Sequence, residues 1–404
     1  MRRYESYKDS GVEWLGEVPS HWDVQRSKFI FKKIERKVNE EDQIVTCFRD
    51  GQVTLRANRR TEGFTNALKE HGYQGIRKGD LVIHAMDAFA GAIGISDSDG
   101  KATPVYSVCL PHNKQKIDVY FYAYYLRNLA LSGFISSLAK GIRERSTDFR
   151  YADFAELLLP IPPYLEQQKI AQFLDDKTAK IDQAVALAEN QIALLKEHKQ
   201  ILIQNTVTRG LNPDVPLKDS GVEWIGQVPE HWEVKKIKTF AKINNGLDYK
   251  AVIAEEGYPV YGSGGQFAYA NTYLYDGEAV LLGRKGTIDK PLYINDKFWT
   301  VDTMFYCVCN NKVSTKFFYY CCCSIIPFQY YSTSTALPSM TQSDILNHKV
   351  TFPSLEEQYQ IADYLDKQTA KIDQAIVLKT AHIEKLREYK NVLINDVVTG
   401  KVRV

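Results

Sequence analysis

Seven consecutive residues, Thr178 to Ala184, return without change from Thr369 to Ala375. Each copy lies in a long segment in which apolar residues recur at helical spacing, approximately residues 165–209 and 356–398. This periodicity predicts two long helices, each with a single apolar stripe along one side. Such a stripe must be buried, and the other copy offers a matching surface, so we expect the two helices to pair.

A second repeat shows that the whole chain is duplicated. Lys8 to Trp14 equals Lys218 to Trp224, and both copies continue as Gly-x-Val-Pro-x-His-Trp, which ends at Trp22 and Trp232. We call this segment the opening motif. The chain therefore consists of two tandem units, each made of an opening motif, a middle segment and a long helix. The predicted boundaries are 1–163 and 211–354 for the opening motifs with their middle segments, and 164–210 and 355–404 for the long helices.

The two middle segments differ in sequence, but both mix strand and helix patterns. The first predicts strands at 81–85 and 105–110 and a helix at 119–139 that breaks near Gly133. The second predicts a glycine-rich turn at 257–265, a strand that enters a basic turn at 279–288, a strand at 299–308 and a helix at 317–325. The predicted fold class is α+β, with two tandem α+β domains and two long paired helices.

The charge pattern restricts where nucleic acid can bind. The 404-residue chain has a formal net charge of +2, so contacts with nucleic acid must come from local patches rather than from a general positive field. Residues 165–209 carry six basic and six acidic residues, and residues 355–404 carry eight of each. A rod that binds phosphates needs a basic excess, so the long helices are predicted to contact protein.

Composition also bears on compartment and metal chemistry. No apolar run approaches the roughly 18 residues of a membrane span, which predicts a cytoplasmic protein without a membrane partner. The seven cysteines have no matched spacings, which argues against a disulfide framework and against a zinc site. Free, buried thiols are expected.

The catalytic motifs suggested by the sequence are incomplete. Ile161-Pro162-Pro163-Tyr164 is similar to the Asn/Asp-Pro-Pro-Tyr motif of amino-methyltransferases, but isoleucine replaces the hydrogen-bonding residue. We interpret these prolines as a stop between the first middle segment and its helix. The glycines at 262–265 lack the spacing of a cofactor loop, and His21 and His231 are expected to pack or to form hydrogen bonds. No catalytic residue and no metal ligand is predicted.

Short basic clusters beside polar or glycine-containing turns are the candidate contacts with DNA. Arginine can bridge guanine O6 and N7, asparagine can bridge adenine, and serine or threonine can reach phosphates or base edges. In the alternative interpretation each cluster is only a solvated surface. The candidate DNA-binding residues are Arg56, Asn58, Arg59, Arg60, Arg143, Arg145 and Ser146 in the first unit, and Tyr261, Ser263, Arg284, Lys285, Ser334 and Thr335 in the second.

Taken together, these motifs resemble the specificity subunit of type I restriction-modification systems. The resemblance rests on the tandem plan, the opening motif, the Pro-x-x-x-Glu-Gln-x-x-Ile-Ala segments at 162–171 and 353–362, and the Thr-Ala-Lys-Ile-Asp helices. It covers essentially the whole chain. It implies two target recognition domains, held apart by two antiparallel helices, that each read one half of a bipartite double-stranded DNA target.

The resemblance also implies partners and cofactors. Two modification subunits, which bind S-adenosylmethionine and methylate adenine, and two restriction subunits, which use ATP and Mg for translocation and cleavage, would assemble on this chain. The chain itself would bind no cofactor. Residues 261–265 and 282–288 fall where the family has recurrent motifs, whereas the basic segment at 56–60 has no counterpart that can be aligned.

Two other functions are open on the residues alone. A stand-alone DNA adenine methyltransferase is disfavoured by the incomplete motif before Pro162 and by the missing cofactor loop, and stoichiometric S-adenosylmethionine binding by the isolated chain would support it. A non-catalytic coiled-coil scaffold needs neither basic turns nor divergent middle segments. Sequence-specific retention on DNA would exclude the scaffold.

The length of the long helices predicts the spacing between the two half-sites. Two domains that read major grooves on one face of B-DNA lie about 34 to 36 Å apart, or a multiple of this distance. Helices of about 45 residues are long enough to set such a separation. Deleting one or two heptads in phase from both helices should therefore change the spacer between the half-sites rather than the bases read. Methylation of spacer-variant DNAs measures this, and altered bases with unchanged spacing would refute the prediction.

Overall fold

The computed structural model describes residues 2–59, 71–138, 148–324, 326 and 339–404. These residues form two compact units. Unit 1 consists of Met1–Leu187 together with His382–Val404, and unit 2 consists of Ala188–Ala381. Each unit therefore contains one middle segment, a part of the first long helix and a part of the second.

Unit 1 contains an α+β domain. Its strands are β1 Tyr7–Asp9, β2 Glu17–Pro19, β3 Asp23–Arg26, β4 Phe31–Lys33, β5 Val45–Cys47, β6 Val53–Leu55, β7 Gln74–Ile76, β8 Leu81–His84, β9 Ile93–Ile95, β10 Gly100–Ala102, β11 Tyr106–Pro111 and β12 Leu158–Ile161. Its α-helices are α1 Ser27–Ile30, α2 Val119–Leu131, α3 Phe134–Leu138, α4 Tyr151–Glu156 and the first part of α5 Tyr164–Arg209. Short 3-10 turns lie at Arg56–Asn58 and Ala88–Ala90.

A four-stranded antiparallel sheet, in the order β4-β11-β8-β9, lies at the centre of unit 1. Phe121 on α2 shares a buried core with Leu81 and Ile83 on β8 because the apolar side of this helix faces the sheet. Gly133 separates α2 from α3 and has a φ of +85°, a conformation that favours glycine. The two predicted strands and the predicted helix with its break are confirmed.

Unit 2 contains a second α+β domain. Its strands are β13 Leu217–Asp219, β14 Gln227–Pro229, β15 Glu233–Lys236, β16 Ala241–Asn245, β17 Ile253–Ala254, β18 Tyr258–Gly262, β19 Gly265–Ala270, β20 Tyr275–Gly283, β21 Leu292–Thr300, β22 Met304–Cys309 and β23 Lys349–Phe352. Its α-helices are α6 Thr315–Ser324, α7 Gln342–Asn347 and the first part of α8 Leu355–Val398, and a 3-10 turn lies at Ile237–Thr239. The strand predicted before the basic turn and the helix predicted after it are confirmed as β20 and α6.

A seven-stranded sheet, in the order β16-β22-β20-β21-β18-β19-β17, lies at the centre of unit 2. Its first four strands repeat the order found in unit 1, and β18 pairs with β21 in parallel. Two sequence predictions were wrong here. The expected turn at 257–265 is mostly the hairpin of β18 and β19, and the expected strand at 299–308 is two strands separated by a turn at 301–303. Pairing with neighbouring strands determines where the strands and turns fall in both segments, and the local sequence does not show which strands will be neighbours.

The two long helices pack against each other within each unit. In unit 1, Leu174 and Ile181 of α5 share a buried core with Leu393 of α8. In unit 2, Ile203 of α5 shares a core with Leu365 of α8. Because the early part of one helix meets the late part of the other in both units, the helices run antiparallel. The predicted pairing of the helices is confirmed.

One ion pair from the repeated heptapeptide joins the helices in each unit. Asp182 Oδ1 lies 2.6 Å from Lys390 Nζ in unit 1, and Asp373 Oδ2 lies 2.6 Å from Lys199 Nζ in unit 2. The two aspartates occupy equivalent positions in the repeat, and so do the two lysines. Exposed pairs of this type contribute only about 0.2 to 1 kcal/mol, so they define the register of the helices more than they stabilise them.

The opening motif of unit 1 binds the first turn of α5. The Glu166 carboxylate accepts hydrogen bonds from His21 Nε2 at 2.8 Å and from Trp22 Nε1 at 3.2 Å. Tyr4 donates a further hydrogen bond to the same carboxylate. The Trp22 ring is fully buried, so the indole packs in the domain core while its N–H reaches the helix.

The same contact recurs in unit 2 at the start of α8. Glu357 accepts hydrogen bonds from His231 Nε2 at 2.8 Å and from Trp232 Nε1 at 3.1 Å, so the hydrogen-bonding role expected for both histidines is confirmed. Burial opposes ionisation of Glu357, but hydrogen bonds from His231, Ser354 and Trp232 outweigh it and lower the pKa to about 2. The contact therefore adds stability above the ordinary pKa of glutamate, and that stability is lost as the pH falls towards 2.

A buried glutamine next to each of these glutamates completes the junction. Gln167 accepts a hydrogen bond from the Asp118 backbone N–H at 2.8 Å. It donates to the carbonyls of Lys116 at 3.0 Å and Pro162 at 2.7 Å. Gln358 makes three equivalent bonds in unit 2. One side chain thus connects the long helix to two neighbouring loops.

The prolines before α5 separate a strand from a helix. Ile161 is the last residue of β12, and α5 begins at Tyr164. The Pro163 carbonyl accepts the backbone N–H groups of Glu166 at 2.8 Å and Gln167 at 3.0 Å. Our interpretation of this segment as a stop is confirmed.

Replacing Gln167 by leucine should destabilise unit 1. Gln167 is fully buried, and leucine would leave three backbone groups without hydrogen bonds, which lowers the free energy of unfolding by about 3 kcal/mol. Gln168→Leu is the matched control because Gln168 is exposed, and it should change this free energy by less than about 0.5 kcal/mol. Chemical denaturation measures both variants, and equal destabilisation would contradict the role assigned to Gln167.

Candidate nucleic-acid interface

The chain leaves β20 in unit 2 through the turn Arg284-Lys285-Gly286. The Arg284 N–H donates to the Thr303 carbonyl at 2.8 Å, and the Arg284 carbonyl accepts the Met340 N–H at 3.0 Å. Gly286 has a φ of +84°, a conformation that favours glycine. Backbone contacts therefore fix this turn, and its position does not depend on its basic side chains.

The two basic side chains of this turn have different surroundings. The Arg284 guanidinium lies 5.8 Å from the centre of the Phe305 ring and 3.5 Å from the Asp302 carbonyl oxygen. Lys285 is exposed, and no described acidic side chain forms an ion pair with it. Arg284 is thus oriented by its neighbours, as a base contact requires, whereas Lys285 is suited to a phosphate.

Ser263 lies beside the basic turn, whereas Tyr261 packs into the domain. Ser263 Oγ is 3.7 Å from the point at which a side chain on Gly286 would begin. The Tyr261 ring lies 6.4 Å from the Phe298 ring, and burial raises the pKa of Tyr261. A cavity of about 480 Å³ beside these turns is lined by Tyr249, Gly262, Ser263, Gly264, Gly265, Gln266, Phe267, Val301, Asp302 and Thr303.

The equivalent turn in unit 1 follows β8 and consists of Ala85, Met86 and Asp87. The Ala85 N–H donates to the Val105 carbonyl at 3.1 Å, and the Ala85 carbonyl accepts the Phe149 N–H at 3.2 Å. These two bonds correspond to the two bonds that fix the basic turn of unit 2. Met86 is exposed. The two units thus place different side chains on the same turn.

Two arginines of unit 1, one of which contacts this turn, are each paired with an aspartate. Arg49 Nη2 lies 2.8 Å from Asp87 Oδ1, and Arg59 Nη1 lies 2.7 Å from Asp50 Oδ2. The Arg59 guanidinium also lies 4.3 Å from the centre of the Phe48 ring. Because Arg49 and Asp50 are consecutive, the two pairs are neighbours. Arg49 thus contacts the turn itself, and the candidate Arg59 binds the residue that follows Arg49.

The other described candidates of unit 1 bind the β5-β6 hairpin. Arg56 Nε lies 3.3 Å from Thr46 Oγ1, and Asn58 Nδ2 donates to Thr54 Oγ1 at 2.8 Å. Asn58 is exposed and Arg56 is half-buried. Their contact with DNA stays a prediction, as it does for Arg59, Tyr261, Ser263, Arg284 and Lys285.

Six candidates lie outside the described residues, so their contact with DNA also stays a prediction. They are Arg60, Arg143, Arg145, Ser146, Ser334 and Thr335. Sequence reasoning missed Arg49 and Met86. The apolar run of β8 matches that of β20 and was a usable signal, but the turn that follows β8 has no basic residue to mark it.

Within residues 2–59, 71–138, 148–324 and 339–404, no group of His, Cys, Asp and Glu side chains is arranged to hold a metal ion, and no helix is long and apolar enough to cross a bilayer. All seven cysteines are free, and five of them are buried. Burial raises the pKa of the Cys307 thiol, and the expectation of free thiols is confirmed.

A comparison with protein families decides where this arrangement belongs. The model of the type I restriction modification DNA specificity domain matches residues 22–195 and, a second time, residues 229–384. The chain belongs to this family. It is the specificity subunit of a type I restriction-modification system, and its two α+β domains are DNA-recognition domains.

Relatives agree with this assignment, and two solved structures share the fold. The putative type I restriction enzyme MjaX specificity subunit of Methanocaldococcus jannaschii is 24% identical, over 96% of both chains. The MjaVIII specificity subunit of the same organism is 27% identical, over 72% of both. A chain from a solved type I R-M system has the same fold, with a TM-score of 0.74 and 14% identity over 95% of this chain and 99% of that one. The crystal structure of the HsdS subunit from Thermoanaerobacter tengcongensis matches with a TM-score of 0.55 and 16% identity, over 95% of this chain and 98% of that one.

Lys285→Gln should weaken DNA binding by a similar factor at every sequence. A lost phosphate contact releases about one counterion fewer, so the slope of log K against log salt concentration should become shallower by about 0.9. Binding by the chain with its modification partner, measured at several salt concentrations, tests this. Lys312→Gln is the control, because it removes the same charge from an exposed turn elsewhere in unit 2. A loss confined to one DNA sequence would contradict a phosphate role for Lys285.

Proposed function

We propose that this chain binds double-stranded DNA with a bipartite target and that each recognition domain reads one half. In this proposal it directs adenine methylation and restriction by two modification subunits and two restriction subunits, in the cytoplasm. The chain itself carries no catalytic residue and no cofactor. S-adenosylmethionine, ATP and Mg belong to the partner subunits.

The observation that carries this proposal is the equivalent turn in the two units. Corresponding backbone hydrogen bonds within the two α+β domains hold Arg284-Lys285-Gly286 in unit 2 and Ala85-Met86-Asp87 in unit 1. The backbone is thus repeated while the side chains differ in charge and shape. Such an arrangement supports two readers with one geometry and two different base sequences.

Exposed apolar residues on the long helices support the proposed binding of partner subunits. Leu187 and Val392 in unit 1 are 60% and 50% exposed. Leu378 and Ile201 in unit 2, which are their equivalents in the repeat, are 64% and 48% exposed. Large apolar side chains that are exposed at repeated positions are typical of a surface that another subunit covers. Because the pattern occurs once in each unit, it fits two copies of one partner.

A stand-alone methyltransferase is less well supported. Such an enzyme needs a hydrogen-bonding residue before the two prolines to hold the target amino group. Here Ile161 ends a strand, and the Pro163 carbonyl starts a helix, so both positions serve the junction between the domain and α5. A separate scaffold role does not explain why the two turns carry different side chains.

Sequencing of modified adenine in host DNA tests the proposed function. With the chain present, methylation should occur at one bipartite motif, and deletion of the chain should abolish it. The double variant Leu187→Glu and Leu378→Glu, which places a charge on the apolar surface of each unit, should also abolish methylation by preventing partner binding, and the partner should no longer co-purify. Glu384→Gln is the control, because it changes an exposed residue of α8 without placing a charge on an apolar position. Methylation that persists after deletion of the chain would refute the proposal.

A further inference from the structure

Unit 1 contains two arginines whose side chains are each held by two other groups. The Arg49 guanidinium lies 2.8 Å from the Asp87 carboxylate and 5.9 Å from the centre of the Phe89 ring. The Arg59 guanidinium lies 2.7 Å from the Asp50 carboxylate and 4.3 Å from the Phe48 ring. In both cases a carboxylate fixes one edge of the guanidinium plane, and an aromatic ring lies beside it.

The backbone that carries these groups is closely packed. Arg127 Nε donates to the Gly91 carbonyl at 3.1 Å, and Arg127 Nη2 lies 3.4 Å from the Arg49 carbonyl oxygen. A side chain on Gly94 of β9 would begin only 1.9 Å from the Gly51 carbonyl oxygen, so the tip of the β5-β6 hairpin lies directly against the sheet. Arg49 therefore stands on a rigid platform rather than on a free loop.

The side chains are nevertheless accessible. The Arg49 side chain is 64% exposed and the Arg59 side chain is 36% exposed. Each guanidinium has five N–H donors, and its carboxylate is bonded to one nitrogen. The edge formed by the two terminal nitrogens retains enough donors for a bidentate contact. An ordinary solvated ion pair needs neither the aromatic neighbour nor the rigid platform.

Charge balance decides which part of DNA these arginines suit. Each arginine forms a neutral pair with its aspartate, and each carboxylate would repel a phosphate brought to its arginine. The Hoogsteen edge of guanine is uncharged and presents two acceptors, O6 and N7, with the spacing of two guanidinium donors. A neutral, oriented arginine–aspartate pair therefore suits a guanine better than a phosphate.

We propose that Arg49 and Arg59 each bind the O6 and N7 atoms of a guanine in the half-site read by unit 1, with Asp87 and Asp50 as their positioning residues. This proposal rests on the proposed function. It adds the prediction that the half-site read by unit 1 contains guanines. It also explains why the turn of unit 1 needs no basic residue, since neighbouring residues supply the guanidinium groups.

The test uses the complex of the full chain with its modification subunits and the target found by methylation sequencing. Each guanine of the half-sites is replaced in turn by 7-deazaguanine, which lacks the N7 acceptor but leaves the phosphates unchanged. Replacement of one guanine in one half-site should lower the affinity of the wild-type complex about tenfold. Arg49→Gln should lower the affinity for unmodified DNA by a similar factor and should be insensitive to that same replacement.

Arg59→Gln should show the same insensitivity at a second guanine of that half-site. Asp87→Asn should reduce the discrimination between guanine and 7-deazaguanine, and Asp87→Glu should restore part of it. Arg26→Gln is the control, because Arg26 is an exposed arginine of unit 1 whose nearest carboxylate, Glu156, is 3.5 Å away. This variant should discriminate like the wild type. The free energy of unfolding should be unchanged in all variants within about 0.5 kcal/mol.

Three outcomes would overturn the inference while the proposed function stands. They are half-sites without guanine, wild-type affinity that no 7-deazaguanine affects, and arginine variants that remain as sensitive to every replacement as the wild type. A wild-type complex that recognises no bipartite sequence would instead refute the proposed function itself.

Discussion

The apolar seam between the two long helices is the contact on which the rest of this structure depends. A helix with one apolar stripe is not stable as an isolated rod, and here each stripe is buried by the other helix. In unit 1 the seam is continuous with the domain core, because Leu174 and Leu393 belong to the same buried cluster as Trp22 and Phe121. The helices and the domain are therefore one cooperative structure. Glu166 and Gln167 then fix the direction in which the domain leaves the helix.

The two units carry different side chains at one equivalent turn. The turn after β8 and the turn after β20 have corresponding backbone hydrogen bonds, yet one carries Ala-Met-Asp and the other carries Arg-Lys-Gly. Guanidinium groups are found at both sites. In unit 2 Arg284 belongs to the turn itself, and in unit 1 Arg49 reaches the turn through Asp87. A repeated backbone with different side chains is a physical basis for changing the recognised sequence without changing the fold.

Sequence alone predicted the frame well because the frame is repeated. The two copies of the heptapeptide located the paired helices, and the opening motifs indicated that His21 and His231 pack or form hydrogen bonds. The failures have a different cause. The segment at 299–308 is two strands because partner strands in the sheet, and not local propensity, determine where the chain turns. Likewise Arg49 meets an aspartate 38 residues later in the chain, a contact that no local spacing encodes.

The most direct test of the account is to find where each turn touches DNA. A photo-crosslinking amino acid is placed at Met86 in one protein and at Lys285 in another, each assembled with its modification subunits on the target DNA. Position 86 should crosslink to one half-site and position 285 to the other. Crosslinks from both positions to the same half-site, or to neither, would contradict the claim that one repeated turn supplies two readers.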